Sequence, residues 1–110
     1  MSRIIRIESL LREQISKIIQ KDFRSNLGLI SIISVRVAKD LANATIIYSH
    51  FGTKAEQKKS FEKLQKSASF IQRELGRSIR LKRIPNLTFQ FNDALEKGSF
   101  VVDQLNRLND

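Results

Sequence analysis

Between Gly52 and Pro85 the apolar residues Phe61, Leu64, Ala68, Ile71, Leu75 and Ile79 recur at intervals of 3, 4, 3, 4 and 4. Only a helix gathers such residues on one buried face, since alternate residues of a strand point to opposite sides. Thr53, with Glu56 three residues on, has the capping-box pattern that starts a helix. Within the track lies Ser67-Ala68-Ser69. Serine hydroxyls compete for backbone hydrogen bonds there, so a kink or a break into two helices is expected. Gly76 weakens helix beyond it by about 1 kcal/mol relative to alanine, and Pro85 cannot continue the helix.

The rest of the chain divides around this segment. Ile4, Ile7, Leu11, Ile15 and Ile18 share one helical face and predict a first helix from about Ile4 to Lys21. Arg24 to Gly28 reads as a turn. Ile33, Val35 and Val37 alternate with Ser34, Arg36 and Ala38, the pattern of a strand with one buried face. After a short connection, Ala44 to Phe51 is again β-branched and aromatic, which predicts an antiparallel hairpin. Pro85 biases Ile84 toward extended geometry, and Leu87, Phe89 and Phe91 then alternate with polar residues as a third strand. Leu95 to Leu108, with Val101, Val102, Leu105 and Leu108 apolar, predicts a C-terminal helix. The order is α-β-β-α-α-β-α. Three strands bury too little alone, so helices must cover the sheet in an α+β two-layer fold. At 110 residues and 41% hydrophobic content, a single domain spanning residues 1–110 is expected.

The chain has no cysteine, which excludes a disulfide framework, a thiolate metal site and a cysteine nucleophile and fits a reducing compartment. His50 stands alone as a histidine and cannot build a zinc site by itself. Ser60, Ser67, Ser69 and Ser78 lie in helical pattern with no histidine partner evident in the sequence, and no nucleophile elbow is present. Glu56, Glu62 and Glu74 are interleaved with lysine and arginine as on a solvated helix face. Phosphate-binding glycine motifs are missing as well. A non-enzyme without cofactor or small-molecule substrate is expected. The segment from Met1 to Gln14 is interrupted by Arg3, Arg6, Glu8, Arg12 and Glu13, unlike a signal peptide, and no later stretch approaches a membrane span. A soluble, cytoplasmic monomer without membrane contact is the expectation.

Charge is more informative. The net charge of +9 is concentrated in the middle: residues 54–86 carry ten lysines and arginines against three glutamates, whereas residues 87–110 are net acidic. A polyanion such as nucleic acid suits that field, because neutralising phosphates releases condensed counterions. Lys59, Lys63, Lys66, Arg73, Arg77 and Arg80 follow helical spacing as one stripe offset from the Phe61 track, and Lys82 and Arg83 extend it. Beside the small residues Ser67, Ala68 and Ser69, this stripe can lay cations along a phosphate backbone while backbone amides approach closely. Phe89 and Phe91 point to the same side as Leu87 and are read as buried, not as a base-stacking platform.

These residues resemble the ribosome-binding factor A family. The likeness rests on Arg6-Ile7 and Ile15, on Val35, Val37, Asp40, Leu41, Ala44, Ile46 and Tyr48, and on Phe70-Ile71 and Glu74-Leu75. Its most specific part is Arg80-Leu81-Lys82-Arg83-Ile84-Pro85 followed by Leu87, Phe89 and Phe91. The resemblance implies a KH-like fold of the second type, in which an Ala-x-Gly kink replaces the glycine-rich loop; here Ser67-Ala68-Ser69 stands at that place. It further implies binding to the immature 30S subunit and its 16S ribosomal RNA, with help in late maturation, RNA end processing and growth in the cold. The alternatives are a protein-interaction adaptor, another KH-like RNA-binding protein, or a permanent ribosomal protein.

Overall fold

The first helix starts at Ser2, whose Oγ accepts hydrogen bonds from the backbone N–H groups of Ile4 and Ile5 at 3.1 and 3.3 Å. The structure is a computed structural model describing residues 2–23 and 28–92. In it, α1 (Arg3–Asp22) buries Ile7, Leu11, Ile15, Ile18 and Ile19, the face expected from the spacing. β1 (Leu29–Val37) and β2 (Asn43–Phe51) form the expected antiparallel hairpin. They are followed by α2 (Lys54–Lys66), α3 (Ala68–Ser78) and β3 (Asn86–Phe91). The expected helix from Leu95 to Leu108 lies outside the described residues, as does most of the turn from Arg24 to Gly28.

The sheet order is β1-β2-β3, with β3 parallel to β2. Inward-facing Ile32, Val35 and Val37 of β1, Ala44, Ile46 and Tyr48 of β2, and Leu87 and Phe89 of β3 meet α1, α2 and α3 in one core. The Tyr48 ring packs edge-on against Phe89 and beside Phe91, so Phe89 lies in the core and Phe91 is packed against it, as the alternation implied.

Two expectations about apolar residues are corrected. Ile33 does not share the inner face with Val35 and Val37: the β1–β2 register shifts between Ile32 and Ser34, a bulge that inserts one residue and returns the alternation out of step. Ile32 therefore turns inward at 6% exposure, and Ile33 turns out at 39%. Phe61, placed on the α2 apolar track by spacing, is 38% exposed, while the polar Gln57 and Ser60 are buried beside Leu64. The cause is hydrogen bonding at the β2–α2 corner. Gln57 Nε2 donates to the Gly52 carbonyl at 3.1 Å, and Ser60 Oγ is hydrogen-bonded to His50 Nε2 at 3.0 Å. Those bonds turn the 57/60/64 face inward and leave Phe61 at its margin. The His50 ring also leaves no room for a side chain at Gly52, where a Cβ would lie 2.6 Å from His50 Cε1.

Helix side chains also reach the outward-facing backbone of both outer strands. Glu8 Oε2 accepts from Val37 N–H at 2.8 Å. Gln65 bridges two residues of β3: its Oε1 accepts from Phe89 N–H at 3.0 Å, and its Nε2 donates to the Leu87 carbonyl at 3.5 Å.

The corner and the core make separate predictions. Thr53 Oγ1 accepts from Glu56 N–H at 3.2 Å while Glu56 Oε1 accepts from Thr53 N–H at 2.8 Å, completing the capping box. Thr53→Ala should lower stability by about 1 kcal/mol in denaturant unfolding. Gly52→Ala, which drives a methyl into a buried imidazole, should cost about 1–3 kcal/mol. Tyr48 is fully buried, its hydroxyl has no hydrogen-bond partner among the described residues, and burial pushes its pKa up to about 12. Between pH 10 and 12 the unfolded chain loses this proton while the folded chain keeps it, so stability falls as pH rises through that window. Tyr48→Phe should remove that part of the alkaline slope and change neutral-pH stability by no more than about 1 kcal/mol. Urea titrations across the window compare the two.

Candidate nucleic-acid interface

The corner bonds fix the rotation of α2 and hence the direction of its lysines. With Gln57, Ser60 and Leu64 inward, Lys58, Lys59 and Lys66 are exposed and Lys63 is half-buried. The helix then breaks at Ser67, which ends α2 and begins α3. Its N–H is shared between the carbonyls of Lys63 and Leu64 at 3.0 and 3.1 Å, and its own carbonyl accepts from Ile71 N–H at 2.9 Å. The backbone there has φ −92° and ψ 2°, a sparsely used but right-handed conformation open to any L-residue. The break thus needs no glycine. Ser67 offers no side-chain cap to α3, so amides of the first turn of α3 have no hydroxyl partner from that residue.

Lys59, Glu62, Lys63, Lys66 and Ser67 surround a depression of about 370 Å3 at this junction. Three ammonium groups against one carboxylate leave it cationic. Beyond the break, Ala68 is half-buried, and Ser69 and Arg73 are exposed. Arg77 pairs with Glu74 at 3.5 Å, on the surface, where such a pair adds little to stability and leaves most of the guanidinium solvated. Arg80, Lys82 and Arg83 are exposed but lie past the end of α3 at Ser78. The single helical stripe expected from Lys59 to Arg83 is therefore divided: one part on α2, one on α3 and one on the loop to β3. The physical reasons are the break at Ser67, which ends α2 and begins α3, and the end of α3 at Ser78. The structure brings Lys59, Lys63, Lys66 and Ser67 together; Lys82 and Arg83 line a different cavity, beside Arg3. Arg3 was not singled out from the sequence. It is 79 positions from Lys82 in the chain, and no local pattern links the two.

Other chemistry finds little footing. Ser60 has the histidine neighbour that the sequence did not reveal, but Ser60 and His50 are 4% and 6% exposed, and no substrate can reach that hydroxyl. Among the described residues no group of three or more His, Cys, Asp or Glu side chains is placed to hold a metal ion. Within the same residues, no helix is long and apolar enough to cross a membrane.

Comparison with known proteins agrees with this architecture. A sequence model of the family described as ribosome-binding factor A matches residues 3–105. Ribosome-binding factor A of Rippkaea orientalis is 36% identical over 111 residues, covering 98% of this chain and 87% of that protein. The crystal structure of ribosome-binding factor A from Thermus thermophilus is similar with a TM-score of 0.72 at 21% identity, over 81% of this chain and 96% of that one. A homology model of the Thermus thermophilus factor, fitted into the electron cryomicroscopy map of its complex with the 30S subunit, gives a TM-score of 0.69 at 23% identity, covering 80% and 93% of the two chains. The shared fold is KH-like, and this chain builds it in the order α-β-β-α-α-β with its helix pair broken at Ser67. With sequence likeness across nearly its whole length, the chain belongs to the ribosome-binding factor A family.

Proposed function

We propose that this chain binds the immature 30S subunit through its 16S ribosomal RNA, as a non-catalytic assembly factor. In this reading it assists late maturation and RNA end processing, including at low temperature. The observation that carries it is the convergence of Lys59, Lys63 and Lys66 on the helix break at Ser67. Three lysine cations and a small-residue backbone form a surface that meets phosphates by charge and close approach, without reading bases. Exposed Ser69 and Arg73 continue it onto α3, and Arg77, Arg80, Lys82 and Arg83 enlarge the field. The Thermus thermophilus factor, fitted as a complex with the 30S subunit, supports the same partner. Binding of this kind holds an RNA segment in one arrangement while other agents act on it, which requires no nucleophile or proton donor from the protein.

Affinity for small subunits, or for fragments of their RNA, should fall steeply with salt. Lys59→Gln combined with Lys66→Gln should lower the slope of log affinity against log salt by about 2, with an unchanged melting curve. Equal slopes from a folded double variant would remove the lysine depression from the interface. Nuclease treatment before co-sedimentation separates this reading from a protein-interaction adaptor: an RNA binder is released, an adaptor stays bound.

A further inference from the structure

A second concavity opens where the first turn of α1, the β1–β2 turn and the loop between α3 and β3 meet. Its volume is about 390 Å3, its walls are Ile7, Val37, Leu41, Leu81 and Pro85, and its charged members are Arg3, Lys82, Arg83 and Asp40. The apolar walls make it unlike the lysine depression, which has no apolar side chain in its lining.

The walls are held in place. Leu41 adopts φ 62°, a left-handed conformation that an L-residue reaches only at a cost. Its N–H donates to the Ala38 carbonyl at 2.8 Å, and Asp40 Oδ1 accepts from Ala42 N–H at 2.9 Å. On the opposite side, Gln72 Nε2 donates to the carbonyls of Ile84 and Pro85 at 2.9 and 3.1 Å, and Pro85 is fully buried. The loop bearing Leu81, Lys82 and Arg83 is thereby tied to α3.

We propose that this cavity seats one unstacked base of a single-stranded RNA, with Arg3, Lys82 and Arg83 on the flanking phosphates. The inference rests on the RNA-binding reading above and adds a site to it. Three cations against one carboxylate select an anionic ligand. A bare phosphate gains nothing from five apolar walls, and an apolar peptide would leave the cations unmatched. A nucleotide has both parts: a flat body that buries against aliphatic side chains, and a charged flank. The volume falls within the range of small-ligand pockets. Asp40 repels phosphate from its own side of the opening, and its second carboxylate oxygen is an acceptor for an amino group on the base edge, Oδ1 being engaged by Ala42 N–H. Arg73, Arg77 and Arg80 are exposed as well, so a long strand with regularly spaced charges has further cations to meet beyond the cavity, which favours it over a short acidic peptide.

The test compares a short oligo(rA) with a ribose-phosphate strand of equal length that lacks bases, both titrated onto the full chain at low salt. The intact chain should bind oligo(rA) at least about fivefold more tightly. Leu41→Asn should abolish most of that preference, because asparagine tolerates the left-handed conformation while replacing an apolar wall with a polar one. Arg83→Gln should weaken both ligands alike. A folded Leu41→Asn chain that keeps the full preference overturns the cavity assignment and leaves RNA binding standing. Failure of the intact chain to bind either strand or small-subunit RNA overturns both. Displacement of oligo(rA) by poly-glutamate at matched charge, but not by the base-free strand, would assign the cavity to an acidic peptide instead.

Discussion

β2 is paired on both sides, by β1 and by β3, and its inward side chains Ile46 and Tyr48 are completely buried beneath the helices. A sheet of only three strands offers a narrow floor, and each helix places aliphatic residues over it. Leu11 and Ile15 from α1, Leu64 from α2, and Ile71 and Leu75 from α3 all reach zero exposure there. An unbroken helix over residues 54–78 would be about 37 Å long, beyond the roughly 30 Å of a nine-residue strand. The break at Ser67 resolves the mismatch, since both halves can then cover the same floor.

The same packing organises the charge. Apolar residues must face the sheet, so the lysines of α2 and the arginines of α3 are left outward, and spacings of 4 and 3 on α2 set Lys59, Lys63 and Lys66 on one side of that helix, beside its end at Ser67. The cationic depression is thus a by-product of core packing, positioned by Gln57 and Ser60 on the opposite face of the helix.

Much of this was legible because it is local. The inward face of α1, the capping box at Thr53, the division at Ser67 and the alternation of Leu87 and Phe89 all depend on residues within a few positions of each other. What the sequence hid depends on distant partners. Ile33 turns outward because of a bulge in pairing with β2, and Phe61 does so because His50 and the Gly52 carbonyl recruit polar residues of α2. The parallel pairing of β3 with β2 and the approach of Arg3 to Lys82 have no periodic signature. Charge counting found the cations but did not divide them among α2, α3 and the loop to β3.

The side chains that reach the outer strands have a consequence for how the molecule meets others. An outer strand ordinarily presents a row of free amides and carbonyls on which another chain can pair. Gln65 occupies one such row with both ends of its amide, at Phe89 N–H and the Leu87 carbonyl, and Glu8 occupies part of the other at Val37 N–H. Recruitment by strand addition is therefore obstructed at these positions, and so is self-assembly into extended sheets. At these positions the backbone is already engaged, and recognition there is left to charge and shape.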